Sequence, residues 1–166
     1  MITTISEFMT DYKAESENTT KILKALTDAS LAQSVAKDHR TIGRMAWHIV
    51  TTYPEMTEHV DFKFDGVAKD SPLPTKAADI VTAYQAVSSQ ILDKISKWTD
   101  ADLMVEKNFY GENWKKGFML EVLIRHEIHH RGQMTVLMRQ AGLTVPGVYG
   151  PSYDEWGAYK MNPPEV

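Results

Sequence analysis

The sequence contains no cysteine, and this absence limits the chemistry of any site it forms. A chain without cysteine has no disulfide bond, no thiolate metal ligand and no cysteine nucleophile. Any site for a borderline or soft divalent metal must therefore be built from histidine and carboxylate side chains. The chain has six histidines for this purpose.

Basic residues are also in the minority, and long apolar runs are missing. Eighteen Lys and Arg stand against 22 Asp and Glu, a net charge of −4 without a basic cluster, which argues against nucleic acid as a partner. No apolar stretch approaches the ~20 residues that a membrane span needs. Residues 1–8 lack the charged lead and apolar run of a signal peptide. We expect a cytoplasmic protein that binds a small-molecule substrate and neither a membrane nor nucleic acid.

Sustained strand alternation is absent as well, and helical spacing is frequent. Apolar residues recur at three- and four-residue steps, which predicts helices over residues 5–26, 41–60, 76–98 and 117–140. Gly142 is a suitable stop for the last helix, and the connection at 108–116 is expected to be a turn or short hairpin. The 166 residues, 43% of them hydrophobic, suit one domain spanning 1–166. The predicted fold is all-α, a four-helix bundle.

Three of the histidines in the predicted helices are candidate metal ligands. His126 and His130 are four residues apart, so their imidazoles lie about 40° apart around a helix axis and can hold one divalent metal. His48 lies in a second apolar helix, and the three imidazoles can converge if the two helices pack together. A lone histidine on an apolar face is more often a satisfied core residue. Three of them, each costly to bury without a partner, favour a shared metal with at least one open coordination position.

The neighbouring polar residues leave alternatives open. His129 competes with His130 as a ligand, but it lies off the helical stripe, so we expect it beside the site or at an interface. Glu127 directly follows His126, about 100° further around the helix, so we expect it to be poorly phased to act as a base beside the histidines. Gln133 is expected either to orient a metal-bound water or substrate or to lie at the bundle rim. Arg44 is expected either to meet an anionic substrate group or to lie on the surface.

The last helix carries a longer motif. Residues 126–133, HEIHHRGQ, are followed by LMRQAG at 137–142 and by a tail rich in proline and glycine. This pattern resembles the DinB-like family, which includes the bacillithiol transferases and the mycothiol-dependent maleylpyruvate isomerases. Residues 45–50, MAWHIV, resemble the first metal-ligand helix of that family. The resemblance extends from about residue 5 to residue 152.

The resemblance implies a DinB-type four-helix bundle with metal ligands His48, His126 and His130. It also implies Zn²⁺ or Ni²⁺ as the metal, a homodimer, and a low-molecular-weight thiol as cosubstrate. No residue of the chain matches the binding residues of a particular thiol cofactor, and the pattern identifies no catalytic residue.

Three functions remain open at this point. The leading hypothesis is a metal-dependent thiol S-transferase, in which the ion lowers the pKa of the substrate thiol. The second is a metal-dependent hydrolase, which needs a general base, whereas Glu121 and Glu127 are poorly phased with the histidines. The third is a metal-binding stress-response module without catalytic activity.

Overall fold

The computed structural model describes residues 1–165, so the last residue of the predicted domain, 166, lies outside the described residues. Four long helices are present: α1 (Ile5–Lys24), α2 (Ile42–Thr57), α3 (Ala77–Ile95) and α4 (Lys116–Gln140). The predicted four-helix bundle is therefore confirmed, with helix ends that differ from the predicted ones by up to three residues.

The two helices that carry the histidines have well-defined ends. At the start of α2 the Thr41 hydroxyl accepts a hydrogen bond of 3.2 Å from the amide of Arg44, which satisfies a free N–H of the first turn. At the end of α4, Gly142 adopts φ +72°, a conformation that glycine reaches without strain. The amide of Leu143 then donates to the carbonyl of Met138 over 2.9 Å. This is the glycine-terminated helix end that the sequence predicts.

The order of the helices places α2 beside α4. Helix α2 packs against α3 and α4, and α1 packs against the same two helices, so α1 and α2 lie diagonally across the bundle. The chain therefore crosses the bundle within residues 25–41, a connection that includes the 3₁₀ turn Asp28–Ala32. Because α2 and α4 are neighbours, their histidine-bearing faces meet.

A small hairpin is the one addition to the helices within residues 1–165. Strands β1 (Glu106–Phe109) and β2 (Glu112–Lys115) pair antiparallel between α3 and α4. Tyr110 and Gly111 join them with φ of 53° and 91°, as a two-residue hairpin turn of the favoured twist requires. The predicted short hairpin is thus confirmed. No helix in the described range has the length and apolar character needed to cross a membrane.

Candidate metal centre

The imidazoles of His48, His126 and His130 meet between α2 and α4. The Nε2 atom of His126 lies 3.1 Å from that of His48 and 3.2 Å from that of His130. All three nitrogens lie within 4.8 Å of one another. The rings are steeply inclined to each other, at 68° to 79°, so each directs an edge nitrogen toward a common point.

These separations suit a single divalent ion. Two imidazole nitrogens on one tetrahedral Zn²⁺ stand about 3.3 Å apart, and two at right angles on an octahedral ion stand about 3.0 Å apart. Without an ion, three ring nitrogens this close would direct their lone pairs at one another wherever no proton lies between them. No other histidine or carboxylate of residues 1–165 joins the group, so three protein ligands would leave coordination positions for water or substrate.

Gln133 fixes the orientation of one imidazole. Its Oε1 atom lies 2.8 Å from Nδ1 of His130, one helical turn away. The amide oxygen can only accept, so Nδ1 donates and the lone pair of Nε2 faces the other two histidines. A partner of this kind holds the ring in the tautomer that binds metal. The sequence predicted that Gln133 would either orient a metal-bound water or substrate or lie at the bundle rim. In the structure its hydrogen-bond partner is His130.

The surroundings keep the histidines neutral. Burial first, and then the charges of Arg40 and His130, lower the pKa of His48 to about 4. Burial and the charges of the neighbouring histidines lower the pKa of His126 to about 4 as well. Burial also lowers the pKa of His130, although its hydrogen bond to Gln133 acts in the opposite direction. Neutral imidazoles are the form that binds a metal, so the free site is ready for an ion at neutral pH.

These pKa values predict unusual resistance of metal binding to acid. An ordinary histidine, with a pKa of about 6.5, would begin to exchange metal for protons near pH 6.5. Because the pKa values of His48 and His126 are about 4, we expect metal to stay bound to about pH 5 and to be lost below it. Dialysis at stepped pH followed by elemental analysis measures this. Loss that is complete at pH 6 would contradict the expectation.

The metal-free protein provides an independent measurement of the same shifts. The unfolded chain takes up protons on these histidines below about pH 6.5, whereas the folded chain does not until about pH 4. The free energy of unfolding should therefore decrease as pH falls through this window. The His48→Ala and His126→Ala variants each lack one of these groups, so their free energy of unfolding should decrease less over the same pH range.

Glu127 lies next to His126 in sequence but points into the bundle core. Its carboxylate accepts hydrogen bonds from Thr19 on α1 over 2.5 Å, from Tyr84 on α3 over 2.7 Å, and from Tyr53 on α2. One carboxylate of α4 therefore contacts all three other helices. Burial raises its pKa, while the three hydroxyl donors oppose that rise. This network fixes the helix that carries two of the three histidines.

The network continues to the chain's tail through Arg131. Its guanidinium donates to the Thr19 hydroxyl over 2.9 Å and to the Glu15 carboxylate over 2.5 Å. It also reaches the hydroxyl of Tyr149 at 2.7 Å, and Tyr149 in turn donates to Glu15. Both members of this ion pair thus have hydrogen-bond partners besides each other, which offset the cost of burying their charges.

Two cavities open onto the histidines. One, of about 400 Å³, is bordered by His130 and Gln133 and by mostly apolar side chains. The other, of about 190 Å³, is bordered by His48, Arg44 and other polar residues. Arg40 lines both cavities. Substrates in either cavity would lie beside the candidate centre.

The structure also shows where the other polar residues near the histidines lie. His129 is exposed, with its ring centroid 4.9 Å from that of His130, and it lies outside the group of three, as expected. Arg44 is exposed and lies on the wall of the His48 cavity. Arg40 was not identified from the sequence. Its only local signal is a position two residues before the start of α2 at Ile42.

Comparison with known proteins agrees with this architecture. The DinB family model matches residues 1–164. An uncharacterized protein, YrdA of Bacillus subtilis (strain 168), is 41% identical over 167 residues, with all of both chains covered.

Two crystal structures resemble the fold. A DinB-like protein from Bacillus cereus ATCC 10987 superimposes with a TM-score of 0.85 at 48% identity, covering 90% of this chain and 100% of that one. The DinB-like protein YjoA from Bacillus subtilis superimposes with a TM-score of 0.69 at 14% identity, covering 86% and 97%, which shows a shared fold alone. With a family model that matches nearly its whole length, this chain belongs to the DinB family.

Proposed function

We propose that the protein is a metal-dependent thiol S-transferase whose divalent ion is held by His48, His126 and His130. The ions we propose are Zn²⁺ and Ni²⁺, which both accept imidazole ligands. The observation that supports the proposal is the convergence of three Nε2 atoms, without a fourth histidine or carboxylate among residues 1–165, beside two cavities. We also propose that the protein is cytoplasmic, as the sequence predicts, and a homodimer, as the family resemblance implies.

A bound divalent ion would lower the pKa of a thiol that reaches it, so that thiolate is available at neutral pH. The sulfur then forms a bond to an electrophilic carbon, whose bond to the leaving group breaks. The leaving group departs with that electron pair, and the thiol proton passes to solvent. The chain has no cysteine, so the thiol must come from a small cosubstrate. The three histidines would hold the ion, and Gln133 orients His130 through its hydrogen bond to Nδ1.

The carboxylates near the histidines do not favour a hydrolase. Glu127 is buried and turned toward Thr19, Tyr53 and Tyr84. Glu121 pairs instead with the N-terminal amine over 2.8 Å and with Arg125 over 2.7 Å. A hydrolase needs a general base within hydrogen-bond reach of the attacking water. Thiol transfer requires no such base, which supports it over hydrolysis.

Cobalt substitution tests the proposal. Thiolate binding to Co²⁺ produces an intense charge-transfer band in the near ultraviolet, so adding 2-mercaptoethanol to the cobalt protein should produce this band and saturate it. In a parallel assay, the zinc or nickel protein should couple bacillithiol to a model alkyl halide. The His129→Ala variant serves as a control and should behave like the unmodified protein.

The other outcomes identify the rival functions. If the protein shows no cobalt band and no thiol transfer, the proposal is overturned in favour of a non-catalytic metal-binding module. Hydrolysis of an ester or amide in the absence of any thiol would favour the hydrolase.

A further inference from the structure

The smaller of the two cavities has a more polar wall than the larger one. The larger cavity, beside His130, is walled mainly by Val35, Met45, Val136 and Leu137, together with His39 and with Arg40, which also borders the smaller cavity. The smaller cavity, beside His48, is lined by polar and charged residues: Arg40, Arg44, Trp47, Thr51, Lys69, Asp70 and Ser71. The two openings therefore favour different chemical groups next to the same three histidines.

The cationic groups of the His48 cavity are not equally available. The Lys69 ammonium is paired with the Glu58 carboxylate over 2.7 Å. Neither Arg40 nor Arg44 forms an ion pair with any carboxylate of residues 1–165. Asp70 contributes one negative charge to the wall. Two unpaired guanidinium groups against one carboxylate leave the cavity with a net positive charge.

Arg40 is held at this place by the backbone around it. A bridge between Ser34 and Thr41 closes the loop that carries Arg40, and the amide of Ile42 donates to the carbonyl of Gln33 over 2.8 Å. Arg44 follows on the first turn of α2, one turn before His48. Both guanidinium groups thus border the cavity from a fixed stretch of backbone. The charge of Arg40 also acts on all three histidines, whose pKa values it helps to lower.

We propose that Arg40 and Arg44 form an anion subsite that binds a carboxylate of the thiol cosubstrate, beside His48. This inference rests on the proposed thiol transfer. Guanidinium groups match the two oxygens of a carboxylate in geometry and charge. Asp70 in the same wall disfavours a doubly charged group such as phosphate. The thiol is the reactant that becomes an anion, so a cationic wall suits it, whereas the apolar wall beside His130 suits an uncharged reactant.

A pair of thiols of equal size tests the subsite. The cobalt-substituted, full-length protein is titrated with 3-mercaptopropionate and with its neutral amide, 3-mercaptopropionamide, and the charge-transfer band measures binding. We expect the carboxylate to bind about tenfold more tightly at low salt, since guanidinium groups pair with a carboxylate through charge-assisted hydrogen bonds that the neutral amide lacks. The preference should shrink at high salt because the arginines are solvent-exposed.

Variants then identify the residues. Arg40→Gln and Arg44→Gln should each reduce the preference, and the double variant should bind the two thiols with equal affinity. Arg139→Gln, an exposed arginine that lines neither cavity, is the matched control and should keep the preference. Equal binding of the two thiols by the unmodified protein, or a preference that survives the double variant, overturns the subsite. Absence of a band with either thiol overturns the proposed thiol transfer itself.

Discussion

Replacing His48, His126 or His130 by alanine is expected to lower metal affinity by more than about 100-fold. Losing a residue that only hydrogen-bonds a metal ligand already lowers affinity by about 10–100-fold, and losing the ligand itself should cost more. Each histidine contributes one of three nitrogens that lie within 4.8 Å of one another. Removing one leaves two ligands, which hold a divalent ion poorly against water. Elemental analysis of the dialysed variants, with competition against a chelator, measures the loss.

The same experiment includes a graded control series. Gln133→Ala frees the Nδ1 atom of His130 and should lower affinity by about 10–100-fold, because the ring loses its fixed tautomer. His129→Ala should leave the metal content nearly unchanged, since His129 is exposed and outside the group. Loss of metal from His129→Ala together with retention by His130→Ala would show that the ligand assignment on α4 is wrong.

Replacing Glu127 by alanine is expected to destabilise the metal-free protein by about 3–5 kcal/mol. The substitution removes the acceptor of three buried hydroxyl groups, those of Thr19, Tyr53 and Tyr84. Each buried donor without a partner costs about 1–3 kcal/mol. Urea denaturation without metal measures the free energy of unfolding separately from any contribution of a bound ion.

Two milder variants calibrate that result. Tyr84→Phe removes one donor and should cost about 1 kcal/mol. Glu127→Gln keeps one carbonyl acceptor but directs an N–H₂ group at the hydroxyls, so its cost should lie between the other two. If Glu127→Ala proved no more harmful than Tyr84→Phe, the carboxylate would not be the centre of the network.

The features that depend on local spacing could be predicted from the sequence. Apolar residues at helical intervals marked all four helices, and Gly142 marked the end of α4, because both signals reside within a few residues of one another. The spacing of His126 and His130 likewise placed both rings on one face. The addition of His48 rested on the assumption that α2 packs against α4, and the structure confirms that packing. Metal binding by the three histidines stays a prediction.

The features that depend on distant residues could not be predicted in this way. Glu127 was correctly judged to be poorly placed as a base, but its partners come from three other helices, at residues 19, 53 and 84. Arg40 lies before α2, and only the folding of residues 33–41 brings it to the cavities. The diagonal arrangement of α1 and α2 depends on how the whole core packs, and no single segment of the sequence predicts it.

The position of Glu127 has a consequence for how the centre assembles during folding. If any one helix is not yet docked, a carboxylate with missing donors lies in apolar surroundings, which is an unfavourable state. Partly formed bundles are therefore disfavoured, including one in which only α2 and α4 have docked and brought the three histidines together. The bundle and the metal centre should thus form in one cooperative transition, so that an ion meets either an unfolded chain or a finished set of ligands.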